Sequence, residues 1–444
     1  MRLTILGGGG FRVPLVYKAL LADHRNTGIT EVALHDVDPV RLTGIGRVLA
    51  ALARDVPDAP AVVTTTDLDS ALTGAAFVFC AIRAGGLRGR VVDERVALEA
   101  GVLGQETVGA GGIAYGLRSV PASLRIAERV ARLAPDAWLI NFTNPAGLVT
   151  EAMSDRLGDR VIGICDSPAG LVDRVLRALR PHPAEIRRVD YAGLNHLGWL
   201  YGVHDAEGRD LLPGLLADAG RLKTIEEGRL FGNLSELGAI PNEYLHYYYD
   251  QAGTLAAVRE APQTRGAFLR EQQERCYHEM AAGDPLEAWL DAWREREATY
   301  MAENRGLTGA GEREHDESRP AGYEGVALAV MRALARDEPA TLILNVRNRG
   351  TLEILDDDAV VEVPCVVGAK GAVPLPVAPL PGHATGLVRA VKATDRLILE
   401  AVATGSRAAA VRAMATHPLV ADPALAERLV DAYRAELPEL AYLS

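Results

Sequence analysis

A run of four glycines between a strand-like and a helix-like segment constrains this chain more than any other feature. Leu3-Thr4-Ile5-Leu6 is short, apolar and partly β-branched, as a strand buried on both faces of a parallel sheet would be. It runs into Gly7, Gly8, Gly9 and Gly10. Apolar residues then recur at helical spacing over Val13–Leu21, with Pro14 where a first helical turn tolerates proline. Glu31-Val32-Ala33-Leu34-His35 is a second apolar strand, and Asp36 ends it. Strand, glycine turn, helix, strand and acid in this order predict a dinucleotide site. The turn residues Gly7 to Gly10, with Phe11 and Arg12, let backbone approach a pyrophosphate at the helix N-terminus. Asp36 is placed to accept from ribose hydroxyls, which favours NAD over a 2′-phosphorylated cofactor. The usual third glycine is replaced by Arg12 or Val13, depending on the register chosen.

The rest of the chain divides in two. Its 444 residues, 48 % of them hydrophobic, are too many for one compact core and ample for two. Residues 1–190 alternate strands (Ala75–Ala81, Ala137–Phe142, Val161–Cys165) with helices (Ser123–Leu133, Gly170–Leu179). That pattern predicts an α/β domain built on a doubly wound parallel sheet of Rossmann type. Residues 191–444 read as a mixed α+β domain carrying substrate, metal and oligomer contacts. Its expected elements are helices Arg265–Ala282, Pro285–Asn304, Leu387–Ala403 and Ala424–Ala435, strands Ala340–Val346 and Ala359–Val367, and a solvated loop at Gly309–Pro320. A net charge of −12, with no basic run interleaved with aromatics, argues against nucleic acid as a partner. No apolar run reaches membrane-spanning length. A strand beginning at Arg2 leaves no room for a signal peptide, and four scattered cysteines suit a reduced, cytoplasmic protein.

Three strands end in polar loops that would face one crevice: Arg83-Ala84-Gly85, Thr143-Asn144-Pro145 and Asp166-Ser167-Pro168. Cys165 ends one strand, and His196 lies in Gly193-Leu194-Asn195-His196-Leu197. A thiolate and an imidazole from different elements can share one divalent metal, although each type alone is more often a plain buried residue. Gln105–Gly112 is a polar glycine-rich loop entering a helix whose polar face carries Arg118. Glu106 and Asn144 suit the fixing of sugar or nicotinamide-ribose hydroxyls. Tyr244, in a tyrosine cluster otherwise read as helical core, can act as a general base where a metal or arginine favours its phenolate. Arg265 can meet an anion such as a phosphate, or simply make a salt bridge at a helix start.

Together these stretches resemble the NAD- and metal-dependent family-4 glycoside hydrolases over essentially the whole chain. The resemblance rests on Ile5–Gly9, Arg83-x-Gly85-Gly86-Leu87, Gly104–Thr107, Asn141–Pro145, Cys165-x-x-Pro168, Gly193–Leu197, Tyr244-Leu245-x-Tyr247-Tyr248, Asn345-x-Arg347-Asn348 and Glu362–Cys365. It implies a fold like that of lactate and malate dehydrogenases, with NAD and a divalent metal, Mn²⁺, as cofactors. It also implies an exception to two-carboxylate hydrolysis. The sugar is oxidised at C3, the C2 proton is removed, the aglycone is eliminated, water adds and the hydride returns. By motif match Cys165 and His196 are metal ligands, Tyr244 is the base, and Arg83 and Asn144 face the cofactor. Arg90, Glu106, Asn144, Asp166, Asn195 and Arg265 face the substrate, a phosphorylated disaccharide or aryl glucoside. A homodimer or homotetramer is implied as well. Gly109–Gly112 followed by Leu117-Arg118-x-x-Pro121 is similar to the 6-phospho-β-glucosidase subgroup. Asp166 is instead similar to 6-phospho-α-glucosidases, where an acid there protonates the leaving oxygen. A lactate- or malate-type dehydrogenase and a non-catalytic NAD sensor are the competing readings.

Overall fold

The computed structural model describes residues 1–180, 185–299 and 322–444. The loop expected at Gly309–Pro320 and the end of the helix expected at Pro285–Asn304 lie outside these residues. The glycine turn is built as its sequence demands. Strand β1 (Arg2–Leu6) leads into Gly7, which adopts φ 82°; a Cβ there would stand 2.5 Å from the Ala81 carbonyl oxygen, so only glycine fits. Helix α1 (Val13–Thr27) follows, with Pro14 in its first turn and Gly28 in a left-handed C-cap. Strand β2 (Glu31–His35) then pairs with β1 in parallel.

The described strands form one twelve-stranded sheet. Its parallel half runs β3 (Ala61–Thr65), β2, β1, β4 (Ala75–Cys80), β5 (Trp138–Asn141), β6 (Val161–Gly163). Reversal of order on either side of β1 is the doubly wound arrangement, which opens a crevice at the carboxyl ends of the strands. Helices α2 (Pro39–Ala53), α3 (Gly86–Glu99), α4 (Gly109–Leu133), α5 (Ala146–Leu157) and α6 (Ser167–Ala178) connect these strands.

Past β6 the sheet turns antiparallel: β10 (Ala340–Arg347), β11 (Val360–Gly368), β7 (Ile186–Leu194), β8 (Leu197–Asp205), β9 (Ile240–Pro241), with β12 (Gly371–Pro374) on β11. Strand β7 runs across residue 190, so the sheet is continuous where the sequence shows a change of character. The joins are narrow. β10 meets β6 only through Asn345 opposite Gly163, and β11 meets β7 only through Glu362 opposite Gly193.

The C-terminal half also grips the glycine turn. Helices α7 (Arg265–Ala282), α8 (Pro285–Ala298) and α9 (Tyr323–Arg336) each send one donor to it. Tyr277 Oη donates to the Gly9 carbonyl (2.6 Å), Trp289 Nε1 to Phe11 (2.8 Å) and Tyr323 Oη to Arg12 (2.8 Å). Each contributes about 1 kcal/mol net and fixes the turn against the second half of the chain. A separate apolar layer forms where α3 and α4 meet α10 (Gly382–Thr404), α11 (Arg407–Thr416) and α12 (Pro423–Glu436). Among the described helices none is long and apolar enough to cross a membrane. All four cysteines are free and buried.

Candidate active site

A cleft of about 2170 Å³ lies at the carboxyl ends of β1, β4, β5 and β6, between the two halves of the chain. The expected residues Gly7, Gly10, Phe11, Arg12, Asp36, Arg83, Arg90, Glu106, Asn144, Cys165, Asp166, His196, Tyr244 and Arg265 all line it. Basic side chains outnumber acidic ones along its wall although the whole chain carries −12, so the cleft concentrates anions.

The cofactor side follows from the turn. Gly8 and Gly9 do not face the cleft; a Cβ on Gly8 would meet Leu34, and one on Gly9 would meet Arg41 and Asp36. Their smallness lets the turn lie on β2. Asp36 Oδ2 accepts from the Gly9 amide (3.0 Å), which holds the carboxylate at the lip of the crevice. Helix α1 starts without a side-chain cap, and the Phe11 amide has no acceptor among the described residues. This unmet donor at the start of α1 fits a pyrophosphate. The Phe11 ring itself is buried against Trp289.

The thiol–imidazole pair sits deeper. Cys165 lies just beyond the end of β6. His196 is at the tip of the β7–β8 hairpin at φ 61°, and its Nδ1 pairs with Thr107 Oγ1 (2.8 Å), leaving Nε2 without a hydrogen-bond partner among the described residues. Burial pushes His196 down to about 4, against the pull of Asp166 and Glu106, so the imidazole is neutral as a ligand must be. Burial, then the carboxylates of Glu362 and Asp166, push the Cys165 thiol well above its usual value. A thiolate there needs a cation beside it. Among the described residues no group of three or more His, Cys, Asp or Glu could hold a metal. Asp166 is the N-cap residue of α6 but makes no capping bond; its carboxylate stands in the cleft instead.

Tyr244 stacks on the His196 ring. Arg90 is close enough for the two groups to interact electrostatically, which favours the phenolate. Arg90 Nε donates to Glu94 (2.8 Å) and its Nη1 pairs with Glu106 (2.5 Å), which Arg83 also holds. Burial would raise the Glu106 carboxyl, but Arg83 and Arg90 override it and keep it well below the carboxylate range. Glu94 in turn accepts from the Gly266 amide (2.6 Å), tying α3 to the start of α7.

Arg265 is placed with its guanidinium on the end of α8, donating to the carbonyls of Thr299 (3.0 Å) and Arg296 (3.1 Å). Two expectations meet different surroundings. Arg118 is on no solvated face; it is 3 % exposed in a two-bond ion pair with Asp93 (2.6 Å each), because α3 covers that side of α4. Asn195 does not line the cleft and donates to the buried Glu362 carboxylate (3.1 Å).

Arg296 is a residue that sequence reasoning missed. Its Nε is shut from solvent with no hydrogen-bond partner among the described residues, and burial together with Arg12, Arg265 and Arg90 lowers its pKa well below the usual arginine value. In sequence it is one charge among many on α8. Glu362 and Asn345 are in stretches that carry the family resemblance, but no local feature marks a role for them.

A dinucleotide-type α/β fold whose crevice unites an uncapped helix start, a thiol–imidazole pair and a stacked tyrosine defines an enzyme of nicotinamide and metal chemistry. The chain belongs to the family 4 glycosyl hydrolases. Residues 2–180 match the family model and residues 191–420 match that of its C-terminal domain. A maltose-6′-phosphate glucosidase of Bacillus subtilis (strain 168) is 30 % identical over 99 % of this chain and 97 % of its own length. A solved 6-phospho-alpha-glucosidase from gut microorganisms, in complex with NAD and Mn²⁺, superposes with a TM-score of 0.81 at 26 % identity, over 98 % of this chain and 97 % of that one. A Thermotoga maritima 6-phospho-beta glucosidase with manganese, NAD⁺ and glucose-6-phosphate gives 0.79 at 26 %, over 98 % and 99 %.

Proposed function

We propose that this enzyme hydrolyses 6-phosphoglucosides using NAD and a divalent cation, Mn²⁺. Arg296 carries the reading. Its Nε has no partner among the described residues and is shut from water beside three more guanidinia, whose charge Glu106 offsets only in part, so a further anion such as a sugar 6-phosphate would stabilise the group. Arg265 and Arg12 would flank the same group. Cys165 and His196 would hold the cation, which would supply Lewis-acid polarisation of the C3 oxygen, and the glycine turn would hold NAD, which would supply hydride exchange at C3. Tyr244 Oη, favoured as phenolate by Arg90, removes the C2 proton. Glu106, held ionised by Arg83 and Arg90, accepts from sugar or ribose hydroxyls.

Each anomer has its own support. The Gln105–Pro121 segment supports the β-linked substrate. Asp166, which caps nothing and stands in the cleft, supports an α-linked one, since it can protonate a poor leaving oxygen. Assay of p-nitrophenyl α- and β-glucoside 6-phosphates with NAD⁺, Mn²⁺ and a reductant tests both levels. Turnover needing the phosphate, NAD⁺ and Mn²⁺ together is expected; equal turnover of unphosphorylated glucosides overturns the proposal. Asp166→Asn should spare nitrophenyl substrates and impair disaccharide phosphates if the α reading is right, and be mild on both if the β reading is.

A further inference from the structure

The two proposed metal ligands come from opposite sides of the seam where the parallel and antiparallel halves of the sheet meet. Cys165 lies two residues beyond Gly163, and His196 three beyond Gly193. Gly163 is opposite Asn345, the pair through which the halves meet, and within the antiparallel half Gly193 is opposite Glu362. The side chains of those two partners are bonded to each other: Asn345 Nδ2 donates to Glu362 Oε1 at 3.0 Å. Asn195, next to His196, donates to the same oxygen at 3.1 Å, and Tyr191 Oη donates to Oε2 at 2.8 Å. Glu362 is thus a fully buried carboxylate with three neutral donors and no ion-pair partner among the described residues. The space is cut to fit. A Cβ on Gly163 would stand 2.7 Å from Asn345 Cβ, and one on Gly198 would stand 2.3 Å from Tyr191 Oη.

A buried carboxylate without a cation is costly, and neutral donors offset only part of that cost. The carboxylate of Glu362 acts on Cys165, whose thiol is also near Asp166. Three potential anions therefore converge, with no Arg or Lys among the described residues bonded to Glu362 or Asp166, and a divalent cation is what balances such a group.

We propose that Glu362 is a positioning residue for the Cys165–His196 pair: through Asn345 and Asn195 it sets the gap between their two elements, and its charge strengthens the hold on the cation. This rests on the reading of Cys165 and His196 as ligands. No step of the chemistry passes through Glu362.

The test is a titration of the purified full-length protein with Mn²⁺, counting free ion by electron paramagnetic resonance, alongside Co²⁺ titration read at the thiolate-to-cobalt charge-transfer band. Glu362→Gln keeps shape and removes charge; Asn195→Ala keeps charge and removes the bond between Glu362 and the residue beside His196, leaving the Tyr191 bond in place. Both should weaken Mn²⁺ about 10- to 100-fold and alter the cobalt band. The metal-free melting temperature of Glu362→Gln should stay level or rise. Mn²⁺ affinity within about twofold of wild type and an unchanged band in either folded variant overturn the proposal. If Glu362→Gln does not fold, Asn195→Ala decides alone. Cys165→Ser separates the two levels: if it binds Mn²⁺ like wild type, or wild type binds none, the ligand reading fails and this inference with it.

Discussion

The imidazole of His196 lies flat on the phenol of Tyr244, with ring centroids 3.6 Å apart and planes within 2° of parallel. Neither residue reaches this arrangement by local preference. His196 takes a positive φ of 61° at a hairpin tip and is held by Thr107 from the loop before α4. The Tyr244 backbone N–H donates to Asn242 Oδ1 (3.1 Å) at the start of a short 3₁₀ turn. The stack therefore fixes the proposed base relative to the proposed metal ligand from three separate segments, and Tyr244 Oη can be removed without removing the ring.

Tyr244→Phe should accordingly keep Mn²⁺ and NAD⁺ affinity and lose roughly 10²–10⁴-fold in kcat. Turnover of p-nitrophenyl glucoside 6-phosphate beside calorimetric Mn²⁺ titration checks it. Near-normal kcat would remove Tyr244 from the role of base. Deuterium at C2 should slow the wild-type enzyme where that step limits.

Arg296 and Arg265 should part company when replaced. Arg265 bonds the last carbonyls of α8, so Arg265→Ala should lower the melting temperature of the free protein as well as the affinity for phosphorylated substrate. Arg296 Nε has no partner among the described residues, so Arg296→Gln should leave that melting temperature level or higher while raising KM for the 6-phosphate about tenfold to a hundredfold, from about 1.5–3 kcal/mol of lost charge-assisted bonding. Inorganic phosphate should raise the melting temperature of the wild type but not that of Arg296→Gln. A destabilised free Arg296→Gln protein with normal KM would make Arg296 a structural residue.

Asp36 is held at the crevice lip by the Gly9 amide, and a 2′-phosphate would meet its charge. NAD⁺ should bind at least about tenfold better than NADP⁺, a difference of ~1.4 kcal/mol, and Asp36→Ala should narrow the gap. Fluorescence titration of both cofactors measures it; equal affinities in the wild type would contradict the assignment.

His417 should make the fold acid-sensitive. Its Nδ1 accepts from the Leu419 amide (3.1 Å), its Nε2 faces Tyr248 Oη (3.3 Å), and burial pushes it down to about 4. The folded state thus binds fewer protons than the unfolded chain between about pH 6.5 and 4. The stabilisation is complete above about pH 6.5 and is lost as the pH falls toward about 4, by about 3 kcal/mol at most. Melting temperatures at about pH 7 and pH 5 should differ less in His417→Asn than in wild type. An unchanged difference would show that His417 is accessible in the fold.

Elements with a strong period were legible in the residues. Arg265–Ala282 forms a helix at the bounds its pattern implies, and β1, the glycine turn, α1 and β2 follow one another as strand, turn, helix and strand because each is set by neighbours within a few residues. The identities at the strand ends were legible too, since a doubly wound sheet sends those ends to one crevice whatever the details. What the chain order left open was pairing at long range. Residues 186–205 look irregular because Gly193, Gly198 and Gly202 interrupt their alternation, yet they form the β7–β8 hairpin, whose glycines make room for Tyr191, Asp190 and His204. Arg296 and Arg118 read as ordinary helix charges; only the packing of α8 against the glycine turn and of α3 over α4 takes them out of water. Glu362 is the extreme case, because in its own strand it is one acid among valines. Its burial, its donors Tyr191, Asn195 and Asn345, and the closeness of Cys165 all arise where β6, β10, β11 and β7 meet, so they depend on contacts between distant segments that no local pattern encodes.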